Sequence, residues 1–365
     1  MTETSIDFLV RRDDFADCRF REAPVPPLAE GQVLFAVDRF ALTSNNVTYA
    51  VAGDMLDYWG FFPSGEDGMG RIPAMGFGDV IASRHPGVRE GLRAFGFFPM
   101  SSRLLVEPDG VSETGFVDGV AHRAGHAAAY RQYRSASNHP LHAGPESEDA
   151  FMLLSGLFTT SFLVDDFLAE HDGFGADCVI VTSASSKTSI ALAHCLARRG
   201  GARVIGLTSA ANQEFVRKLG LYDEIVRYDA ADSLPSEGRA VLVDMAGNAA
   251  VRRTVHERFG EGLVHSCIIG ATHWDQGGDA GPLPGAAPTL FFAPSQITKR
   301  YEEWGAAVYQ QRLADAWRGF LAGSEAWLRV ERGAGPQAVE RVYRDLLGGR
   351  SRPEVGHVLS LGAEE

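Results

Sequence analysis

Between Val179 and Thr208 the chain reads VIVTSASSKTSIALAHCLARRGGARVIGLT: an apolar run, a turn of small polar residues, an amphipathic stretch and a second apolar run. A strand, a tight turn and a helix in that order aim backbone N–H groups and the positive end of the helix dipole at one point, where phosphates bind. Ser183, Ser186 and Ser189 stand where such turns carry glycine, and Ser185, Lys187 and Thr188 complete the turn. Serine is small, and its hydroxyl caps a helix or donates to a phosphate oxygen. Lys187 falls in the first helical turn, where a cation is unfavourable by roughly 0.3 to 1 kcal/mol unless an anion lies there. The alternative is that the serines only cap the helix and the lysine turns to solvent. A P-loop reading also arises, because SKTS is followed downstream by an apolar run ending in Asp244, but Val181 and Ser186 occupy the positions where that loop needs glycine.

The second apolar run ends in GLTSAANQ, with Thr208 and Ser209 and no carboxylate. A nucleotide-binding strand that selects NAD carries an acid there for the ribose hydroxyls, so the expected cofactor is NADP, as NADPH. Asn45, Asn46 and Tyr49, in TSNNVTYAVAG, are candidates for the reacting end. Buried amides need partners, and Asn46 or Tyr49 could bond a carbonyl oxygen as charge develops on it. Equally, they could form a polar turn at a strand end. DYWGFFP, residues 57–63, could wall an aromatic or acyl pocket or simply pack a loop. His122, His126, His139 and His142 lie close in sequence without an acid or cysteine beside them, so no metal is expected there.

These groups need a scaffold. At 365 residues, 45% hydrophobic and 22% charged, the chain suits two folded domains. A net charge of −13 argues against a nucleic-acid partner. Cys18, Cys178, Cys195 and Cys267 are scattered, which indicates neither disulfides nor a thiolate metal site. The acidic, short-runned N-terminus is no signal peptide and no apolar stretch is read as a membrane span, so the expected location is cytoplasmic.

Residues 1 to about 110 show short apolar runs between Gly and Pro, the pattern of a mostly antiparallel β domain. Residues 112–145 read as a helical excursion with loops, and the stretch from Ala150 has helical spacing up to Gly173 and Gly175. From Cys178, strands alternate with helices at 186–199, 211–219 and 249–259, which predicts a parallel sheet covered on both faces. A Gly/Pro-rich stretch, 277–288, leads to TLFFAP and a helical region over 296–321. The end reads strand, helix, strand, with the last strand returning to the first domain.

The run from Val179 to Asp232 together with VLVDMAGN, PAMGFGDVIASRHPGVREGLRAFGFFPMSSRLLVEP and RPEVGHVLSL resembles the medium-chain dehydrogenase/reductase superfamily, in its zinc-free quinone oxidoreductase-like branch. NNVTYAVAGD and YWGFFP are similar to an uncharacterised bacterial branch of it, DUF2855-like. The resemblance implies an α/β fold in which a doubly wound Rossmann domain, 151–322, is inserted into a mostly-β GroES-like catalytic domain, 1–150 plus 323–365. It implies a zinc-independent, NADPH-dependent reductase of an activated carbonyl, quinone or enone. A non-catalytic binding or scaffold protein with a degenerate cofactor site is the other reading. The zinc-dependent members' cysteine falls at Ser44 or Asn45, and PAMGFGD lacks their Gly-His-Glu. By the same resemblance Tyr228 and Arg352, with Lys218 as a further candidate, line the adenosine phosphate. A homodimer is expected through Leu290 to Phe292.

Overall fold

The computed structural model describes residues 3–235, 237–269 and 282–362. The last two positions of the strand expected over 263–271, and the Gly/Pro-rich stretch up to 281, lie outside the described residues. In chain order the first elements are β1 (Thr4–Arg11), β2 (Cys18–Pro24), β3 (Val33–Leu42), α1 (Ser44–Val51), α2 (Tyr58–Phe61), β4 (Met69–Gly70) and β5 (Pro73–Ser83). They continue as β6 (Arg93–Pro99), β7 (Arg103–Val106), β8 (Pro108–Ser112), β9 (Gly115–Asp118), α3 (Ala128–Arg131) and β10 (Gln132–Ser135). Then follow α4 (Glu148–Glu170), β11 (Cys178–Val181), α5 (Lys187–Arg199), β12 (Arg203–Thr208), α6 (Gln213–Leu219) and β13 (Glu224–Arg227). The rest are β14 (Ala240–Asp244), α7 (Ala249–Phe259), β15 (Leu263–Ile268), β16 (Pro288–Leu290), α8 (Ala293–Trp304), α9 (Ala306–Ser324), β17 (Arg329–Ala334), α10 (Gly335–Leu347) and β18 (Val355–Ser360).

Two compact units result: Met1–Leu153 with Leu328–Glu365, and Leu154–Trp327. The first is mostly antiparallel. Its large sheet runs β17-β18-β3-β5-β6-β10-β9-β8, with β7 also paired to β3, and β2-β1-β4 form a small sheet. The last strand does return to the first domain, β18 pairing antiparallel with β3 through His357 and Leu42. Phe35, Phe98 and Tyr133 are buried together, Phe35 meeting Phe98 edge-on at 5.5 Å and stacking on Tyr133 at 5.3 Å. Each such ring contributes about 1.5 to 3 kcal/mol on burial.

Residues 112–145 depart from the expected helical excursion. They supply β9 and β10, and α3 is a single turn. Gly115 allows this: a Cβ there would strike the Tyr133 carbonyl, so its lack of side chain lets β9 lie against β10. The 296–321 region also differs, being two helices broken at Gly305, whose φ of +79° a helix cannot accommodate.

The second unit holds a parallel sheet in the order β13-β12-β11-β14-β15-β16, the doubly wound arrangement. Along β11, Cys178 and Ile180 enter the apolar cluster on one face, and Val179 and Val181 the cluster on the other. Both faces are covered, which is why these strands read as unbroken apolar runs. Val164 and Leu168 of α4 belong to the second cluster. Contrary to the sequence expectation, one stretch does have the length and apolarity of a membrane span. Among the described residues it is Pro145–Glu170, containing α4, and 67% of its apolar 18-residue window is buried within the protein. Its polar residues face partners: Asp165 takes both Arg199 nitrogens at 2.9 and 2.6 Å, and Asp166 takes Gln296 at 2.8 Å.

Candidate functional site

The turn after β11 is bound from within. Ser183 adopts a left-handed φ of +52°, a conformation that costs a non-glycine residue about 1–2 kcal/mol. Its N–H donates to the Tyr228 hydroxyl at 2.8 Å, and the Ser186 N–H returns to the Ser183 carbonyl at 2.7 Å. Ser186 is the N-cap of α5: its oxygen accepts the Ser189 N–H at 3.2 Å and its hydroxyl donates to Ser189 Oγ at 2.9 Å. The fully buried Ser189 hydroxyl passes the chain on to the Thr182 carbonyl at 2.9 Å. The serines that replace glycines thus close the turn on itself. Ser185, nearly buried, accepts from Asn212 Nδ2 at 2.9 Å, tying the turn to the loop after β12.

Below the turn sits Asp244, 1% exposed, at the end of β14. It accepts from the Thr182 hydroxyl at 2.8 Å and from the N–H groups of Ala246 and Gly247, and it pairs with Arg252 at 2.9 Å. The P-loop reading would leave this carboxylate for magnesium; here its oxygens are engaged by protein donors. Sequence reasoning considered Asp244 only in that guise, and the coupling of Thr182 to a residue 62 positions away had no local signal.

Thr208 closes β12, beside β11 in the sheet, and is 1% exposed. Its hydroxyl is buried without a partner among the described residues. Ser209 follows, half-buried, its carbonyl accepting from the Asn212 N–H at 3.1 Å. The second unit therefore brings together Ser183, Ser185, Ser186, Lys187 and Thr188 in one turn, Tyr228 bonded to that turn, and Thr208 and Ser209 on the neighbouring strand end. Burial raises the Tyr228 phenol above its usual range, so it stays protonated. Arg352 belongs to the other unit, exposed, and pairs with Glu331 at 2.9 Å. Lys218 is exposed on α6 and lies 3.8 Å from Glu214.

In the first unit Asn45, Asn46 and Tyr49 lie on α1, not in a bare turn. Thr43 caps this helix, and Asn46 completes a capping box by accepting the Thr43 N–H at 2.8 Å. Its amide nitrogen donates to the Pro73 carbonyl at 2.9 Å, so the buried Asn46 side chain is bonded through both ends. Asn45, exposed, donates to the Tyr49 hydroxyl at 2.7 Å. Tyr49 stacks against Tyr58 at 4.5 Å and meets Phe97 edge-on at 5.6 Å. Tyr130 lies 4.9 Å from Phe97 and meets Tyr58 edge-on at 6.4 Å. Burial, with Tyr130 and Tyr58 adding to it, raises the Tyr49 phenol well above its usual range. The YWGFFP motif anchors this cluster: Trp59 fills a slot between Gly53 and Gly70, where a Cβ on either glycine would overlap the indole.

The histidines fall into two pairs, His122 with His126 and His139 with His142. His139 meets Phe151 edge-on at 4.9 Å and His142 contacts Glu148 at 3.2 Å. His126 packs on Phe61 at 3.9 Å and bonds to Asp57, a placement sequence reasoning missed because 69 positions separate the two residues. Among the described residues no group of His, Cys, Asp and Glu is arranged to hold a metal ion.

Similar folds occur in CurA from Vibrio vulnificus (14% identity, all of both chains, TM-score 0.60) and in CurA from the same organism in complex with NADPH (15%, 95% of both, 0.58). The yhdH oxidoreductase from Salmonella enterica in complex with NADP is likewise similar (16%, 98% of this chain and 99% of that one, 0.53). At these identities the likeness is one of fold: a Rossmann domain inserted in the sequence of a mostly-β GroES-like domain. No curated protein sequence matches the chain. Residues 40–352 match the model of a family described as protein of unknown function (DUF2855), and over that span, most of its length, the chain belongs to the DUF2855 family.

Proposed function

We propose that this protein is a zinc-independent, NADPH-dependent reductase of a small activated carbonyl, quinone or enone. The observation that carries the reading is Thr208, whose buried hydroxyl lacks a partner at the strand end where a dinucleotide's ribose binds and where an NAD-selective site would hold a carboxylate. The residues fit a dinucleotide. The Ser183–Ser186 turn and the start of α5 at Lys187 and Thr188 would hold the pyrophosphate, and Thr208, Ser209 and Tyr228 the adenosine end. Arg352 is a further candidate for that end.

NADPH, when bound, supplies the hydride. The chain's part is to orient and to polarise. Asn45 donates to the Tyr49 oxygen, which aligns the phenol and leaves its O–H as the donor for a ligand oxygen gaining charge. Asn46 holds α1 in place. The aromatic surface of Tyr58, Phe97 and Tyr130 suits a flat conjugated ligand. Leu290 and Phe292, 48% and 61% exposed at the edge strand β16, support a homodimer through that edge. The reading places the protein in the cytoplasm, with no nucleic-acid or membrane partner.

A non-catalytic binding protein on the same fold is the second reading, favoured by the serines that close the turn on itself. Fluorescence titration with NADPH and NADH separates the possibilities. The reductase binds NADPH at micromolar levels and oxidises it with quinones, enones or aldehydes. Absence of binding to either nucleotide at millimolar levels overturns it, and binding without hydride transfer to any acceptor leaves the second reading.

A further inference from the structure

The cluster around Tyr49 contains a histidine that no part of the reading above uses. His126 is 8% exposed in its side chain and packs its ring on Phe61 at 3.9 Å. Its Nε2 lies 3.0 Å from the Asp57 carbonyl oxygen and 3.0 Å from the Asp57 carboxylate. Both oxygens only accept, so Nε2 carries the hydrogen and Nδ1 carries the lone pair. That Nδ1 is buried and has no partner among the described residues. Asp57 is placed for this contact at a local cost: as N-cap of α2 it takes a left-handed φ of +53°, and its carboxylate is 71% exposed. A carboxylate orienting one nitrogen of a buried imidazole whose other nitrogen is unengaged is the arrangement of a general acid–base pair.

We propose that His126, oriented by Asp57, exchanges a proton with the oxygen of the bound ligand. The proposal rests on the reductase reading and names the proton donor of that site. As hydride adds to the electrophilic carbon, the carbonyl π electrons move to oxygen. That oxygen takes the proton from Nδ1 of the imidazolium, giving the hydroxyl product and a neutral ring still bonded through Nε2 to Asp57. A proton from water restores the imidazolium once product leaves, so the sum is one hydride and one proton per carbonyl. Phe61 lies beneath the His126 ring and also meets Tyr58 at 5.9 Å and Tyr130 at 5.8 Å, so the imidazole and the phenols share one aromatic platform. Among the described residues the titratable and charged groups around His126 are Asp57, its neighbour His122, Arg123, whose carbonyl accepts the His126 N–H at 3.0 Å, Arg131, whose Nε donates to the His126 carbonyl at 3.1 Å, and, across Phe61, Tyr58 and Tyr130.

The test compares wild type with His126→Gln, which keeps an amide N–H for Asp57 but cannot titrate, and with Asp57→Asn. NADPH oxidation is followed against 1,4-benzoquinone, cyclohexenone and benzaldehyde from pH 5 to 9. The expected result is a wild-type kcat that falls as pH rises, because the proton donor is lost. In His126→Gln that limb disappears and kcat drops about a hundredfold or more, with NADPH affinity and unfolding midpoint unchanged. Asp57→Asn gives a smaller loss. A His126→Gln enzyme within threefold of wild type, with the same pH limb, overturns the proposal while leaving the reductase reading intact. A wild type that oxidises no NADPH sinks that reading, and the proposal is then decided by the His126 imidazole nitrogen resonances as cyclohexenone is added. A shift at Nδ1, lost in His126→Gln, supports it, and no shift overturns it.

Discussion

The Tyr228 hydroxyl accepts, at 2.8 Å, the N–H of Ser183, a residue of the turn after β11 held in left-handed backbone. A side chain 45 residues downstream thus fixes the shape of a turn that glycine would adopt unaided. Tyr228→Phe should leave that N–H without its acceptor and destabilise the second unit by about 1 kcal/mol or more. Urea unfolding followed by circular dichroism measures this, and an unchanged midpoint would show that water replaces the phenol.

Thr208→Val should separate stability from binding. Replacing a buried, unpartnered hydroxyl by a methyl group of similar shape leaves stability unchanged or raises it slightly. NADPH affinity should fall about tenfold, read by fluorescence titration, if the hydroxyl bonds the nucleotide. Equal affinity in the two proteins would remove Thr208 from the site.

Lys187 opens α5, where the helix dipole disfavours a cation. Lys187→Ala is expected to weaken NADPH about ten- to a hundredfold, the value of a charge-assisted contact worth roughly 1.5 to 3 kcal/mol. Wild-type affinity in this variant would place the lysine outside the pyrophosphate site.

Burial, with Arg134 and His142 nearby, pushes the His139 imidazole down to about 3. Its folded form therefore stays neutral where the unfolded chain, with a usual value near 6.5, binds a proton. The stability this group contributes is complete above about pH 6.5 and is lost as pH falls toward 3, by at most about 1.4 kcal/mol per unit. His139→Leu should lower the pH slope of stability by up to about one proton between pH 6 and 4.5, and the comparison of the two proteins cancels the response of carboxylates such as Glu148, which begins in the lower part of that range. Denaturant midpoints across that range give the slope, and parallel curves for the two proteins would refute the assignment.

Phe292→Asp, with or without Leu290→Asp, should convert a dimer into a monomer in sedimentation velocity at micromolar concentration. A wild type that already sediments as a monomer would remove the edge of β16 as an interface.

The doubly wound unit was legible because its strands, buried on both faces, are unbroken apolar runs such as CVIV and AVLVD, and because caps such as Ser186 mark where helices begin. The 112–145 segment was not, since β9 and β10 are four residues each and owe their strand form to non-local pairing, Tyr133 opposite Phe116 within the segment and Arg134 opposite Phe95 outside it. The same distinction divides the site. The serine turn is contiguous and readable, while Tyr228 on Ser183, Asp244 on Thr182 and His126 on Asp57 join residues that only the tertiary fold brings together. Asn46 shows the remaining difficulty. An amide in an apolar stretch invites a ligand, and here the capping box and the Pro73 carbonyl satisfy it.

The slot that Gly53 and Gly70 leave for Trp59 makes those three positions one unit of inheritance. A side chain on either glycine expels the indole, and a smaller residue at 59 leaves a void that neither glycine can fill. Viable descendants of this sequence must keep all three or exchange them together, so these positions should covary across relatives even though none of them carries a reacting atom.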